Sequence, residues 1–309
     1  MAAPPRSEGS GAAGALLAAV GAVGFSGKAV LIKLAYAYPV DAVTLLALRM
    51  LMSLPFFVLM ALLSGRNPGY SMERGDWGAI LGLGFLGYYL ASYLDFLGLQ
   101  YISAGLERLI LFLYPTMVLA ISALALKLPV TRMHVAALAL SYGGIVLVFA
   151  DHVRLAGNAA ETALGSLLVF GSALSYAIYL VWGGQVITRL GSARFTAYAM
   201  TVASVLCILQ FALTHPWSAL GLPAPVYGYG FLMAVLSTVL PVWATSEGIR
   251  RIGASRAALV GAIGPVSTIF LANLFLGEPI TVPQLGGAGL VLAGVLLLSL
   301  KAGVQPARS

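Results

Sequence analysis

Charged side chains are scarce in this chain. Of its 309 residues, 9% are Asp, Glu, Lys or Arg, whereas soluble domains average about 25%. Hydrophobic residues make up 60% of the chain, and the mean hydropathy is +0.97. A soluble protein of this composition could not cover its surface with polar groups. The composition therefore excludes a soluble enzyme or binding domain and predicts a protein embedded in the lipid bilayer.

The few charges that are present have a basic excess, with a formal net charge of +7 and a sequence pI near 9.6. Such an excess can indicate a nucleic-acid-binding protein. Here the basic residues are scattered through short connecting segments rather than clustered, so we expect no nucleic-acid partner. The positive-inside rule for membrane proteins explains the excess better.

Cysteine and histidine are also scarce. The single cysteine, Cys207, lies in an apolar run, which excludes an intramolecular disulfide and indicates a packing role. The histidines, His134, His152 and His215, fall near the ends of apolar runs. The sequence contains no metal-ligand cluster, phosphate-binding loop or cofactor fingerprint, so we expect neither a metal site nor a cofactor.

Long apolar runs fill most of the chain. Each has about the 20 residues that a helix needs to cross the hydrocarbon core of a bilayer, and each is too long for a strand of a membrane barrel. The runs are 12–35, 41–64, 77–99, 103–126, 131–150, 163–187, 194–214, 226–248, 254–276 and 282–301. Because the connections are short, neighbouring runs should be antiparallel. The predicted fold class is an all-α polytopic membrane protein with ten transmembrane helices.

The ten runs form two similar halves. A shift of 150 residues aligns the stretch Gly253–Gly294 with an upstream copy. The identical pairs are Gly98 and Gly248, Ile102 and Ile252, Ala104 and Ala254, Leu109 and Leu259, Pro115 and Pro265, Leu124 and Leu274, Leu126 and Leu276, Pro129 and Pro279, Thr131 and Thr281, Leu140 and Leu290, Gly144 and Gly294, and Leu147 and Leu297. The duplication predicts two five-helix repeats, at 13–150 and 163–301.

The remaining segments are expected to be connections and tails. A linker is expected at 151–162, between the two repeats. Residues 1–12 are polar, small and Pro/Gly-containing, so we expect a disordered cytoplasmic tail there. A second cytoplasmic tail is expected at 302–309.

Lysine and arginine are unevenly distributed between the two ends of the runs. With a cytoplasmic N-terminus, the inside residues are Arg6, Arg66, Arg74, Lys127, Arg132, Arg189, Arg194, Arg250, Arg251, Arg256, Lys301 and Arg308. Only Arg108 and Arg154 fall outside, with Lys33 near that surface. This bias predicts an inner-membrane protein with both termini in the cytoplasm. Because five is odd, the second repeat must be inverted, as is typical of secondary transporters with a site near the midplane.

The motifs resemble the drug/metabolite transporter superfamily, and within it the EamA-type ten-helix exporters. The matching residues are Gly253-Ala254-Ser255-Arg256-Ala257-Ala258, Pro265, Leu276-Gly277-Glu278-Pro279-Ile280-Thr281, Gln284, Gly287 and Gly294 in the second copy, and Lys33, Leu48-Arg49 and Tyr101-Ile102-Ser103-Ala104-Gly105 in the first. The resemblance implies transport of small metabolites by exchange or by coupling to an ion gradient. The first copy departs from the pattern at Lys127-Leu128-Pro129 and at Leu106-Glu107-Arg108-Leu109.

Ionisable residues within the apolar runs are candidates for substrate binding or coupling, because each costs at least a few kcal/mol in the membrane. Lys28 could hold a substrate carboxylate, or its ammonium could extend to the outer surface. Arg49 cannot readily lose its charge and could bind substrate or tie two helices together. Asp95 lies in an apolar context, which suits a proton-coupling residue.

Glu107 and Arg108 open the fourth predicted helix on its outer side. With Asp95 they could form an ion-pair network around an outward-facing vestibule, which makes Arg108 a further binding candidate. Alternatively, Glu107 complements the positive end of the helix dipole and Arg108 is a surface charge.

Aromatic residues form a second group of candidates. They are Tyr89, Tyr93, Tyr176, Tyr179, Trp182 and Trp243. Positions 89 and 93 share one helix face, as do 176 and 179. An aromatic-lined cavity would suit amphipathic organic substrates. Ordinary packing, or an interfacial aromatic belt, is the alternative.

Pro115 and Pro265 occupy equivalent positions in the two copies and are predicted hinges. Each removes a backbone hydrogen bond from its helix, and paired breaks of this kind point to a transport site. A fixed kink that only shapes packing is the alternative. Glu278, in the turn before the last helix, is expected to be a capping residue.

One enzymatic pattern is present, since Gly24-Phe25-Ser26-Gly27 matches the G-x-S-G pattern of rhomboid proteases. A serine nucleophile needs a base within hydrogen-bond reach, and no histidine is expected at the depth of Ser26. We therefore predict a protein that is not an enzyme. The predicted function is a secondary transporter, an exporter of small polar or amphipathic metabolites such as amino acids, working by alternating access.

The expected partners are a small-molecule substrate, the lipid bilayer and a coupled proton or counter-substrate. The alternatives are a rhomboid-like intramembrane protease and a passive facilitator or channel. The sequence gives no indication of an oligomeric state.

Overall fold

The computed structural model describes residues 8–64, 72–127 and 129–302, and these ranges contain helices and their connections without a β-strand. The helices are α1 Glu8–Ala35, α2 Ala42–Ser64, α3 Arg74–Gly84, α4 Ala91–Gly98, α5 Ala104–Leu111, α6 Tyr114–Ala125, α7 Arg132–Ala156, α8 Ala159–Leu190, α9 Ser192–Thr214, α10 Ala224–Ala234, α11 Leu240–Ile252, α12 Ala254–Gly261, α13 Ile263–Leu276 and α14 Val282–Ala302. A π-helical turn, Phe85–Leu90, joins α3 to α4, and another, Val235–Val239, joins α10 to α11. The predicted all-α class is confirmed.

Within the described ranges, nine helical segments are long and apolar enough to cross a membrane. They are Ala12–Ala35, Ala42–Ser64, Arg74–Gly98, Ala104–Ala125, Arg132–Ala156, Ala159–Gly184, Ser192–Thr214, Ala224–Ile252 and Leu259–Leu276. The tenth predicted helix is α14, whose apolar part, Val282–Leu298, is shorter. The protein is therefore a polytopic membrane protein, and several of its spans consist of two α-helices in series.

The N-terminal helix starts earlier than the sequence suggested. α1 begins at Glu8, inside the stretch predicted as a disordered tail. The rest of that tail, residues 1–7, lies outside the described residues, as does most of the second tail, residues 303–309. The apolar run begins near residue 12, and the helix starts about one turn before it, at Glu8.

The structure shortens the predicted linker between the repeats to two residues. α7 continues to Ala156 and α8 starts at Ala159, so most of 151–162 is helical. Gly157 ends α7 in the left-handed region, with φ of 72°. Asn158 caps α8, because its Oδ1 accepts a hydrogen bond from the backbone N–H of Glu161 at 3.1 Å.

The duplication extends to the helix boundaries. α2 and α9 begin and end 150 residues apart, as do α3 and α10, and α5 and α12. The two π-helical turns also start 150 residues apart, and both copies have the same interruption after α5 and after α12. The same sequence pattern therefore folds the same way twice. Five crossings per copy, as predicted from the sequence, would place the two copies in opposite senses across the membrane.

The π-helical turns were not predicted from the sequence. A π-turn inserts an extra residue into a helix and rotates the faces on either side of it. In the first copy, Ser175 of α8 donates from Oγ to the carbonyl of Leu86 at 2.8 Å, and Ser172 donates to the carbonyl of Ala91 at 2.7 Å. The two serine hydroxyls thus donate hydrogen bonds across a helix interface, as polar side chains often do within membranes.

Contacts between the two copies build the core. α1 of the first copy packs on α11 and α13 of the second, and α8 of the second packs on α4 and α6 of the first. Between the copies, α2 also packs on α9, and α7 packs on α14. The interior that these pairs enclose therefore has walls from both copies.

Candidate substrate and coupling site

Three ionisable side chains from α1, α4 and α5 meet inside the bundle. Lys28 Nζ lies 2.5 Å from Asp95 Oδ2 and 3.5 Å from Glu107 Oε1. The side chains of Asp95 and Glu107 are 2% and 0% exposed, and that of Lys28 is 17% exposed. The ammonium of Lys28 is therefore turned inward onto two carboxylates, rather than extended to the outer surface.

Glu107 is the third member of this cluster, and the sequence offered it both for an ion-pair network with Asp95 and for a role at the helix dipole. The N-terminus of α5 is capped by Ser103, whose Oγ accepts a hydrogen bond from Leu106 N at 3.2 Å. Among the described residues, neither oxygen of Glu107 has a hydrogen-bond partner, and neither does Oδ1 of Asp95. Glu107 also stands where the family pattern has a small residue.

Arg49 ties α2 to the third span. Its guanidinium lies 5.1 Å from the ring centroid of Phe96, and its Nη2 donates to Ser92 Oγ at 3.3 Å. The residue is only 5% exposed. This geometry favours the structural interpretation of Arg49 over direct substrate contact.

Arg108 follows Glu107 on α5 and lies against α1 and α13. Its Nη2 is 3.1 Å from the point where a Cβ would stand at Gly264, and Ser26 Oγ is 3.4 Å from the same point. Within the described part of the chain, no carboxylate oxygen lies within 4.0 Å of the guanidinium, and the buried Nε has no hydrogen-bond partner. Arg108 is thus a partly buried cation inside the bundle, not a surface charge.

Tyr176 and Tyr179 belong to an aromatic wall built by residues of three spans. Their rings stack with centroids 5.4 Å apart, and Tyr114 of α6 meets Tyr176 edge-on, also at 5.4 Å. The hydroxyl groups of Tyr88 and Tyr179 are 3.0 Å apart. A Cβ at Gly87 would stand 2.4 Å from the Tyr179 ring, so only glycine lets the third span approach so closely.

Tyr89 and Tyr93 form a separate stack on the third span. Their rings are nearly parallel, with centroids 6.3 Å apart, and Phe85 extends the row. Both tyrosines are partly buried and pack against core residues that include Met50 and Cys207. Cys207 is buried, as its apolar context predicted.

Trp182 and Trp243 do not join these aromatic groups. The two residues are 48% and 61% exposed. They are therefore far more exposed than the tyrosines of the wall. That Trp182 and Trp243 line a cavity remains a prediction.

The helices that carry Pro115 and Pro265 are both interrupted. Pro115 lies in the first turn of α6, just after the break that follows α5, and Pro265 lies in the first turn of α13, just after the break that follows α12. Near the second break, the carbonyl of Gly264 accepts a hydrogen bond from Ser26 Oγ at 2.8 Å. The interruptions confirm that each proline perturbs its helix. A hinge motion remains a prediction.

Ser26 has the contacts of a packing residue. Its Oγ lies 2.7 Å from the carbonyl of Ala22, besides the carbonyl of Gly264. His134 belongs to the N-terminal cap of α7, and His215 follows the last residue of α9. In the described ranges, Ser26 Oγ makes no hydrogen bond to either histidine, and the flanking Gly24 packs tightly on Pro241. The Gly-x-Ser-Gly pattern is accounted for by helix packing.

Glu278 caps a helix of the opposite copy. Its two carboxylate oxygens accept hydrogen bonds from the backbone N–H groups of Ala104 and Gly105, at 2.9 and 3.3 Å. The cap was predicted for the helix that follows Glu278, where Thr281 accepts from Gln284 N instead. Glu278 therefore joins the two copies at the end of the bundle where α5 begins.

The fold and this interior define a class of protein, a duplicated helical bundle of the kind that carries small molecules across membranes. The chain belongs to the EamA-like transporter family, which it matches over residues 12–150 and 163–300. It is 32% identical to the uncharacterized transporter YcbK of Bacillus subtilis, over 94% of this chain and 95% of that protein. It is 30% identical to the uncharacterized transporter sll1319 of Synechocystis, over 82% of this chain and 78% of that protein.

A solved crystal structure has the same fold. It superposes with a TM-score of 0.58 and covers 94% of this chain and 98% of its own, at 18% sequence identity. At this identity the likeness supports the fold alone. The family and its relatives identify the protein as a membrane transporter.

Proposed function

We propose that the protein is a secondary transporter that exports small polar or amphipathic metabolites by alternating access. The two repeats would rock about the cluster of Lys28, Asp95 and Glu107. The breaks before Pro115 and Pro265 would let the half-helices tilt as the site opens to one side and then the other. Both termini would be in the cytoplasm, and the membrane would be the inner membrane of the cell.

The observation that carries this proposal is that two enclosed carboxylates face one ammonium. Such a group is a poor way to stabilise a fold, because desolvation of the charges offsets much of their attraction. Within membranes, enclosed ionisable groups mark ion and substrate pathways. The carboxylate oxygens of Asp95 and Glu107 that lack a hydrogen bond provide acceptors for a proton, and Lys28 competes with that proton for the same carboxylates.

Proton coupling follows from this competition. When the site opens to the more acidic side, a carboxyl takes up a proton and its attraction to Lys28 weakens. When the site opens to the other side, the proton leaves and the ion pair forms again. Moving substrate against its gradient would then depend on the Asp95 carboxylate, whereas one-for-one exchange of substrate would not.

The test compares Asp95→Asn with the wild type. Metabolite profiling of medium and cytoplasm, with and without overexpression, first identifies a transported compound. Uptake of that compound into inverted vesicles is then measured with an imposed proton gradient. We expect the wild type to accumulate the compound and Asp95→Asn to lose accumulation while it retains exchange. Glu107→Gln should have the same defect.

Glu247→Gln is the matched control, because Glu247 pairs with Arg250 and Arg251 away from the cluster. It should accumulate substrate like the wild type. If Asp95→Asn keeps the wild-type pH dependence, Asp95 has no part in coupling. If the wild type only equilibrates the compound and never concentrates it, the protein is a passive facilitator.

A further inference from the structure

The charges around the candidate site do not balance. Three cations, Lys28, Arg49 and Arg108, interact electrostatically with two carboxylates, Asp95 and Glu107. With every group ionised, this set has one excess positive charge, and a proton on either carboxyl increases the excess. An uncompensated charge is costly in an interior of low dielectric constant. The site therefore favours a ligand that brings a negative charge.

Arg108 is the cation best placed to meet that ligand. Lys28 is already paired with Asp95 at 2.5 Å. Arg49 is enclosed, with Phe96 under its guanidinium. Arg108 is partly exposed, and in the described ranges its buried Nε has no hydrogen-bond partner and no carboxylate oxygen lies within 4.0 Å of its guanidinium.

We propose that Arg108 is the anion-binding residue of the substrate site and that the substrate is an organic carboxylate with a net negative charge. This inference rests on the transport function proposed above and narrows its substrate class. A guanidinium offers two parallel N–H donors that match the two oxygens of a carboxylate. A zwitterion would leave the excess positive charge uncompensated, so a net anion fits better than a neutral amino acid.

The surroundings of Arg108 indicate the rest of the substrate. At Gly264 the absence of a side chain lets the guanidinium of Arg108 pack closely on α13, since a Cβ there would stand 3.1 Å from Nη2. Tyr114 interacts electrostatically with Arg108 and continues into the wall of Tyr176 and Tyr179. The carboxylate group would bind Arg108, and an apolar or aromatic body would lie along this wall.

Binding to the purified full-length protein in nanodiscs tests this proposal without transport. The probes are 3-phenylpropionate, its neutral amide 3-phenylpropionamide, and phenylalanine, which has the same skeleton as a zwitterion. Hexanoate and hexanamide form a second pair that lacks the ring. We expect each acid to bind roughly tenfold to a hundredfold more tightly than its amide, the range expected for a hydrogen bond to a charged group. Phenylalanine should bind more weakly than 3-phenylpropionate.

Arg108→Gln should remove the preference for the acid over the amide and leave amide binding unchanged. Arg108→Lys keeps the charge but loses the paired donors, so we expect an intermediate preference. The matched control is Arg154→Gln, because Arg154 is 72% exposed and pairs with Asp151 at the end of α7. Its preference should equal that of the wild type. Thermal melting without ligand checks that each variant is folded.

Equal binding of acids and amides by the wild type would overturn the proposal, and that comparison needs no variant. Retention of the acid preference by folded Arg108→Gln would also overturn it. Tighter binding of phenylalanine than of 3-phenylpropionate would overturn the proposed net negative charge of the substrate, because it would show that the site prefers a zwitterion. None of these outcomes contradicts the proposed transport function. That proposal fails only if no compound moves in the vesicle assay.

Discussion

Asp41 shows how a single side chain outside the membrane fixes a helix end. Its Oδ1 accepts hydrogen bonds from the backbone N–H groups of Val43 and Thr44, at 2.8 and 3.0 Å, and its Oδ2 accepts from Thr44 Oγ1 at 2.5 Å. Burial raises the pKa of Asp41, but these hydrogen bonds and the nearby His215 outweigh it, so the pKa lies below its usual value. The ionised carboxylate is therefore the form that caps α2.

We predict that Asp41→Ala lowers the free energy of unfolding at pH 7 by about 0.5–2 kcal/mol, the usual effect of losing an N-cap. Because the folded-state pKa is lowered, the stabilisation is complete above the unfolded-state pKa of about 3.9. It is lost as the pH falls through the folded-state pKa. The measurement is thermal melting in detergent from pH 7 to pH 3, and the difference between the two proteins should narrow toward the acidic end.

Glu161→Ala serves as the control for Asp41→Ala. Glu161 is exposed in the first turn of α8, where Asn158 already provides the cap. We expect a smaller loss of stability than for Asp41→Ala. A difference between wild type and Asp41→Ala that is absent at pH 7, or that stays constant down to pH 3, would contradict the assigned role of Asp41.

At the scale of helices, the pair α7 and α14 depends on small residues. A Cβ at Gly144 would lie 2.6 Å from the carbonyl oxygen of Gly287, and one at Gly294 would lie 2.6 Å from that of Ala137. In membranes, van der Waals packing between close backbones is a main source of helix association. Among the glycines of α14, Gly287 and Gly294 make such close contacts with α7. Gly289 has open space beside it.

We predict that Gly144→Ala destabilises the protein by about 1–3 kcal/mol, because the methyl group forces α7 and α14 apart. The adjacent Gly143 provides a matched control, since a Cβ there meets nothing within 4 Å. Gly143→Ala should be neutral or slightly stabilising, because alanine favours helix. Melting temperatures of both variants in detergent test this. Equal losses would mean that helix propensity, rather than the helix contact, is being measured.

At the scale of the whole molecule, the two copies determine the orientation of every loop. The distribution of basic residues predicts a cytoplasmic N-terminus, which puts the start of α8 outside and the start of α9 inside. Ala160 and Ala193 are both exposed and are both the second residue of these helices. They therefore form a matched pair for topology measurements.

We predict opposite labelling of Ala160→Cys and Ala193→Cys in a Cys207→Ser background. A membrane-impermeant maleimide should label Ala160→Cys in intact cells. It should label Ala193→Cys only after permeabilisation, because that position faces the cytoplasm. The reverse pattern would refute the predicted orientation. Labelling of both positions in intact cells would refute the prediction that α8, which lies between them, crosses the membrane.

The sequence could predict which charged and aromatic residues were candidates, but not which of them contact one another. Lys28, Asp95 and Arg108 stood out because charge is costly in lipid, and all three lie in the interior. Trp182 and Trp243 were chosen for the same reason as Tyr176 and Tyr179, but the two tryptophans are far more exposed than the tyrosines. Composition identifies unusual residues, whereas direction depends on how each helix is rotated against its neighbours.

The sequence by itself determined the membrane setting, the helical class and the duplication. These depend on local properties, since lipid requires about 20 apolar residues per span and each repeat encodes the same helix breaks. The tertiary structure decided which charges meet. Lys28, Asp95 and Glu107 come from three helices, and their contact depends on packing between distant segments. It also decided the π-helical turns and left Arg108 without a carboxylate within 4.0 Å in the described ranges, because no single helix carries that information.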